Sequence, residues 1–171
     1  MAAVALGLAL GLALVSFVAT PALVAGSSME PTLRGGDLVL LLRPGFDRLL
    51  DGALQREERA SGYGPGDVVA YRSTAGGLVL KRVVAAGSAT VAFEEGRLLV
   101  DGRPSEVGSH DTYRGADELG PIVLAPGELF VVGDNRRPLA SRDSRHTGPL
   151  DEAAVLGRLV ALVPLGGLFA R

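Results

Sequence analysis

The chain has no cysteine and no tryptophan, and only two histidines. Without cysteine there is no disulfide, no thiol nucleophile and no thiolate-ligated metal. His110 and His146 are too few to build a histidine metal site, and no carboxylate cluster suggests another, so neither metal nor cofactor is expected. The 17 Lys and Arg are offset by 19 Asp and Glu, for a formal net charge of −2. No basic run interleaved with aromatics occurs, so nucleic acid is not an expected partner. None of the glycine-rich turns has the pattern of a phosphate-binding loop.

Charge is absent from one whole stretch. Between Met1 and Met29 there is no Asp, Glu, Lys, Arg or His, and Glu30 is the first charged residue. As a helix, Ala2 to Thr20 would span roughly 28 Å, close to a bilayer's hydrocarbon core. Pro21 disfavours the helical conformation at Thr20 and offers an end. This reads as an N-terminal transmembrane anchor over residues 1–22, followed by a domain over 23–171. A cleavable signal peptide is the competing reading, although its basic leading region is missing. Arg34 and Arg43 follow the segment and no basic residue precedes it. On that count alone the domain would face the cytoplasm.

Beyond the apolar stretch the composition turns to short β-like runs. Leu38 to Leu42, Asp67 to Arg72, Leu78 to Val84, Thr90 to Phe93, Arg97 to Val100, Glu128 to Val132 and Leu156 to Val163 read as strands broken by Gly and Pro. Phe46, Leu49, Leu50 and Leu54 share one face of a helix expected to run to about Glu58. That helix is either a plain surface connection or one that lies on a membrane. Residues 102–121 hold little apolar content and read as a surface excursion. The expected fold is mainly β: an antiparallel, partly barrelled sheet with one N-terminal transmembrane helix and one short amphipathic helix.

Three places could carry chemistry. Ser27 and Ser28 stand before Met29-Glu30-Pro31, where proline stiffens the backbone. Lys81 would share a strand face with Val79 and Val83. Burial there would depress its pKa and make it a usable base, whereas an ammonium that snorkels to water would do neither. The stretch from Val132 to His146 is a polar loop after an apolar strand, rich in Asp134, Arg136, Asp143 and Arg145. Such loops either carry sites or are simply solvated. A Ser-His-Asp triad through His146 has little support, because Arg145 adjoins it and no apolar frame holds its ring.

The blocks Ser28-Met29-Glu30-Pro31-Thr32-Leu33, Gly66-Asp67-Val68-Val69, Lys81-Arg82-Val83, and Gly133-Asp134-Asn135-Arg136 with Ser141-Arg142-Asp143-Ser144-Arg145 resemble, in order, those of type I signal peptidases. The Gly157-Arg158 and Val163-Pro164-Leu165 tail is similar too. The likeness covers most of the chain from residue 26. It implies a membrane-bound Ser/Lys endopeptidase that removes signal peptides from exported preproteins after small residues of the Ala-x-Ala type. Ser28 would be the nucleophile and Lys81 the general base, lowered in pKa by an apolar setting and by Arg82. Ser141 would orient the Lys amine, Asp143 and Arg145 would tie the loop down, and Asp134 and Arg136 would support them. The Ser28 backbone N–H would donate to the oxyanion. The implied partners are preproteins and the lipid bilayer. The catalytic domain would lie on the extracytoplasmic face, against the charge count.

Two departures stand out. Some members have a serine two positions before the nucleophile; here it is Gly26, as in the Gram-positive-type form. The loop between Arg136 and Ser141 is about two residues longer than usual. Two rival readings are a self-cleaving Ser/Lys protease and a tethered β-domain that binds a partner without catalysis.

Overall fold

Runs of Val, Leu and Ile form strands because branched side chains pack well on a pleated surface. The computed structural model describes residues 7, 17–53, 62–105, 107, 119–137 and 139–165. Among them, two antiparallel sheets account for most of the chain. The larger contains β1 (Ala19–Leu23), β2 (Leu38–Leu42), β3 (Val68–Arg72), β4 (Leu78–Ala86), β9 (Glu128–Val132), β10 (Leu150–Asp151) and β11 (Val155–Val163), in the order β1-β2-β11-β3-β4-β9-β10. The smaller contains β5 (Thr90–Glu94), β6 (Arg97–Val100), β7 (Arg103–Pro104) and β8 (Leu119–Val123), in the order β7-β6-β5-β8. The mainly β, antiparallel expectation holds. The partly barrelled one does not: the described strands make two open sheets and no closed barrel.

Four strands lie where none was expected: the two-residue β7 and β10, and the longer β1 and β8. β1 takes Ala19 and Thr20, which the sequence reading gave to a transmembrane helix. Apolarity alone does not separate helix from strand. Among the described strands β1 pairs only with β2, with Pro21 opposite Leu40. At an edge, the missing proline N–H is tolerated. Residues 1–6 and 8–16 of the expected anchor lie outside the described residues, among which no helix is long and apolar enough to cross a membrane. β8 begins inside the stretch read as an excursion. Its Gly120 and Pro121 mask the strand signal, and it too is an edge strand.

The expected helix is α1 (Phe46–Ala53); residues 54–58 of its predicted continuation lie outside the described ones. On its apolar face Leu49 is 70% exposed, and Phe46 meets Phe17 edge-to-face at 5.7 Å. An ion pair ties α1 to the large sheet. Arg158 of β11, itself buried, donates to both Asp51 carboxylate oxygens at 2.9 and 2.8 Å.

β3 is buried on both faces, which places the two central strands deep in the molecule. Val68 and Ala70 face a cluster with Met29, Leu33, Val39 and Leu41. Val69 and Tyr71 face another with Val83, Leu129, Val131 and Val155. A third cluster, built on Val84, Val91, Phe93, Phe130 and Val132, joins β4 and β9 to the smaller sheet.

Candidate active site

Ser28 sits in a turn that two buried side chains pin down. Met29 and Leu33 insert into the cluster beside β2 and β3, and Leu33 N–H donates to the Met29 carbonyl at 2.9 Å. Glu30 N–H donates to the Ser27 carbonyl at 3.1 Å. Two positions upstream, Gly26 has φ 84°, a backbone conformation that favours glycine over serine. The missing hydroxyl at that position therefore has a backbone cause.

Lys81 pairs across the strands with Val69, on the face that Val69 and Val83 bury. Only 2% of its surface is exposed. Its Nζ lies 2.9 Å from Ser28 Oγ and donates to the Leu80 carbonyl at 2.9 Å. Burial pushes the Lys81 pKa below its ordinary 10.5. The Asp143 charge opposes that shift, Arg145 adds to it, and Asp134 opposes it weakly. The expected influence of Arg82 is a correction. Neighbours on a strand point to opposite faces, and Arg82 donates bidentately to Asp134 at 2.8 and 2.6 Å and to the Gly66 carbonyl at 2.8 Å. Its positive charge is spent on Asp134, and the guanidinium that acts on Lys81 belongs to Arg145.

The Asp143 carboxylate organises the polar loop. It accepts from Gly133 N–H at 2.9 Å, from Ser141 Oγ at 2.6 Å, and from Arg145 Nε and Nη2 at 2.8 and 3.0 Å. It also caps α2 (Ser144–Thr147) through Arg145 N–H. Burial alone would raise its pKa; the Arg145 fork, Gly133 and Ser141 outweigh that and hold it below the ordinary 3.8. Ser144 Oγ accepts from Val131 N–H at 3.0 Å, and the Arg145 guanidinium lies 5.9 Å from the centre of the Phe93 ring, so the loop is tied to both sheets.

One anticipated contact differs. Ser141 is brought beside Gly133 and Ser28, but its hydroxyl donates to Asp143, and the Lys81 amine bonds to Ser28 and Leu80. Asp134 is held by Arg82; Arg136 is buried, and its Nε has no hydrogen-bond partner among the described residues. His146 stands at the exposed end of α2, its Nδ1 3.9 Å from Asp143 Oδ1.

Gly133 is where the loop meets the nucleophile turn. A Cβ there would press on Ser141 Oγ and lie 2.5 Å from the Ser28 carbonyl oxygen. Gly133→Ala is expected to cost about 1–3 kcal/mol of stability, as overpacking does, and to lower peptidase activity at least tenfold by displacing Ser28. Thermal melting and a cleavage assay check both; a variant with wild-type activity would contradict the contact.

Asn135 was overlooked as a functional residue, although it lies within one of the blocks that carried the resemblance. Its N–H donates to the Ser28 carbonyl at 3.0 Å and its Nδ2 to the Ser27 carbonyl at 2.9 Å.

A cavity of about 100 Å³ opens beside Ser28, lined by Ala22, Ala25, Gly26, Met29, Leu41 and Leu80 among others. Its lining is largely apolar. Next to it, β4 has a bare edge. Among the described residues β9 pairs with Arg82 to Ala86 and leaves Leu78 to Lys81 without a strand partner on that side.

Residues 1–163 match the family described as signal peptidase, peptidase S26. The chain is 25% identical over 160 residues to signal peptidase IB of Staphylococcus aureus strain COL, covering 84% of this chain and 76% of that protein. It is 28% identical over 147 residues to signal peptidase I V of Bacillus subtilis strain 168, covering 78% and 79% respectively. Among solved structures, a signal peptidase I from Enterococcus faecalis V583 matches with TM-score 0.45 and 25% identity, over 58% of this chain and 97% of that one. With nearly its whole length matched, the chain belongs to the signal peptidase family, peptidase S26, and is a peptidase.

Proposed function

We propose that this peptidase cleaves signal peptides from exported preproteins with Ser28 as nucleophile and Lys81 as general base. One observation carries the reading: a lysine amine with almost no exposure lies 2.9 Å from a serine hydroxyl in a turn of fixed shape. A neutral Lys81 accepts the Ser28 proton as Oγ attacks the scissile carbonyl. The ammonium so formed then gives that proton to the leaving amine, and a water activated by the same amine hydrolyses the acyl-enzyme. The Ser28 N–H faces the developing oxyanion.

The substrate enters as an extended strand along the bare edge of β4, its main chain bonding where β9 stops. The apolar cavity beside Ser28 takes the small residue before the cut. This supports cleavage after Ala-x-Ala-type sites. The charge-free segment before Ala19 serves as the membrane anchor, with the sheets on the extracytoplasmic face. The domain boundary then falls before β1 rather than after residue 22. The exposed Phe17 and Leu49 suit a surface close to lipid. Wild-type and Ser28→Ala enzymes, compared in membranes on one preprotein, test the reading. The wild type releases the mature chain and Ser28→Ala leaves it uncut. Cleavage by Ser28→Ala at anything near the wild-type rate would sink the assignment.

A further inference from the structure

The contacts of Asn135 have a consequence for the oxyanion hole. Ser27 C=O and Ser28 N–H belong to one planar peptide unit. That unit is trans, since the cis bond of the described chain is Glu30-Pro31. In a trans unit the carbonyl and the N–H point in opposite directions, so whatever fixes the oxygen also fixes the hydrogen. The Ser27 oxygen receives two hydrogen bonds, from Glu30 N–H at 3.1 Å and from Asn135 Nδ2 at 2.9 Å. The Glu30 bond comes from the same turn and moves with it. The Asn135 bond comes from 108 residues away and ties the plane to the frame of the large sheet. The amide itself is oriented from both ends, because Asn135 Oδ1 accepts from Arg137 N–H at 3.2 Å. On the other side of the Ser28 Cα, Asn135 N–H holds the Ser28 carbonyl at 3.0 Å. One residue thus locks both peptide planes that flank the nucleophile.

We propose that Asn135 is a positioning residue for the oxyanion hole, aiming the Ser28 N–H through its grip on the Ser27 carbonyl. A hydrogen bond to the carbonyl end of a peptide also polarises its N–H and makes it a stronger donor. The effect matters more in this chain because position 26 is glycine and offers no hydroxyl to share the oxyanion's charge. The inference rests on the assignment of Ser28 as nucleophile. It adds a role that no contact between Asn135 and substrate would reveal.

The test uses the full-length enzyme, an Ala-x-Ala peptide substrate and a peptide aldehyde ending at the same alanine. Ser28 Oγ adds to the aldehyde carbon, its proton passes to Lys81, and the former carbonyl oxygen takes up the negative charge opposite the Ser28 N–H. In Asn135→Ala and in the near-isosteric Asn135→Asp, kcat is expected to fall about 10- to 100-fold, part of the effect of deleting an oxyanion donor. KM should stay within about twofold, and the aldehyde's inhibition constant should rise in step with the loss in kcat. In Asn135→Ala, which adds no charge, the midpoint of the pH–rate profile, which reports Lys81, should not move. An unchanged aldehyde constant, a shifted midpoint in Asn135→Ala, or a wild-type kcat in both variants would overturn the proposal. Ser28→Ala separates the two levels: if it still cleaves, the reading of the site fails; if it is inactive while both Asn135 variants behave as wild type, only this inference fails.

Discussion

Lys81→Met is expected to abolish cleavage and to stabilise the fold. Loss of the base should lower kcat/KM at least about 10³-fold, since a positioned proton acceptor contributes 10²–10⁴ and acts as a unit with its nucleophile. Met has nearly the same length and keeps the packing against Val69 and Val83. It also removes an amine whose charge is costly to bury. The folded state depresses the Lys81 pKa, so it binds that proton less tightly than the unfolded chain does. The penalty is full below the folded pKa and vanishes as pH rises towards the ordinary value near 10.5. The variant should therefore melt about 2–4 °C higher at neutral pH, the shift that corresponds to about 1 kcal/mol in a domain of this size. The gap should close in alkaline buffer. Calorimetry across pH with a cleavage assay checks both halves. An active variant would contradict the mechanism, and a destabilised one would contradict the account of the buried amine.

The second large effect belongs to Asp143. Asp143→Asn leaves the Arg145 guanidinium, 5% exposed, without its bidentate carboxylate. Breaking a buried pair from one side costs about 3–5 kcal/mol, which lowers the melting temperature by about 10 °C. The pH dependence has a definite sign. The folded pKa of Asp143 is depressed, so its contribution is present above the unfolded value and fades as pH falls through the folded one. The variant, with an amide that does not titrate, should lack this acid limb. The change also reaches Lys81, because the negative charge of Asp143 partly offsets the depression of the amine's pKa. Among molecules that stay folded, the pH–rate midpoint should move down. A variant with wild-type melting, or with a midpoint moved upward, would show that Asp143 is not the centre of the loop's charge network.

How much of this was legible in the residues depends on whether a residue's role is local. The central strands were readable because runs such as Leu38 to Leu42 and Glu128 to Val132 are apolar and bounded by turn residues. The pairing of Ser28 with Lys81 came through four ordered blocks, and the structure brings the two atoms to 2.9 Å across 53 positions. β1 was not readable: its apolar residues continue an uncharged stretch, and only the partner strand shows that they pair. Arg82, Arg136 and Arg145 could not be told apart by composition. Three guanidiniums compete for two carboxylates, and the winner depends on strand alternation and on the turn at α2. Ser141 bonds to Asp143 rather than to the expected Lys81 amine, since nothing in its spacing tells the two apart. Asn135 was within sight, yet its importance lies in two main-chain carbonyls, and main-chain partners leave no trace in side-chain patterns.

The central claim is that Lys81, its pKa lowered by burial, takes the proton from Ser28. Its most direct test is the pH dependence of kcat/KM for the full-length enzyme, set beside an NMR titration of the Lys81 amine. The account predicts one acid limb whose midpoint matches the titration of that amine and lies below 10.5. A limb that does not coincide with Lys81, or an amine that still titrates near its ordinary value, would contradict it.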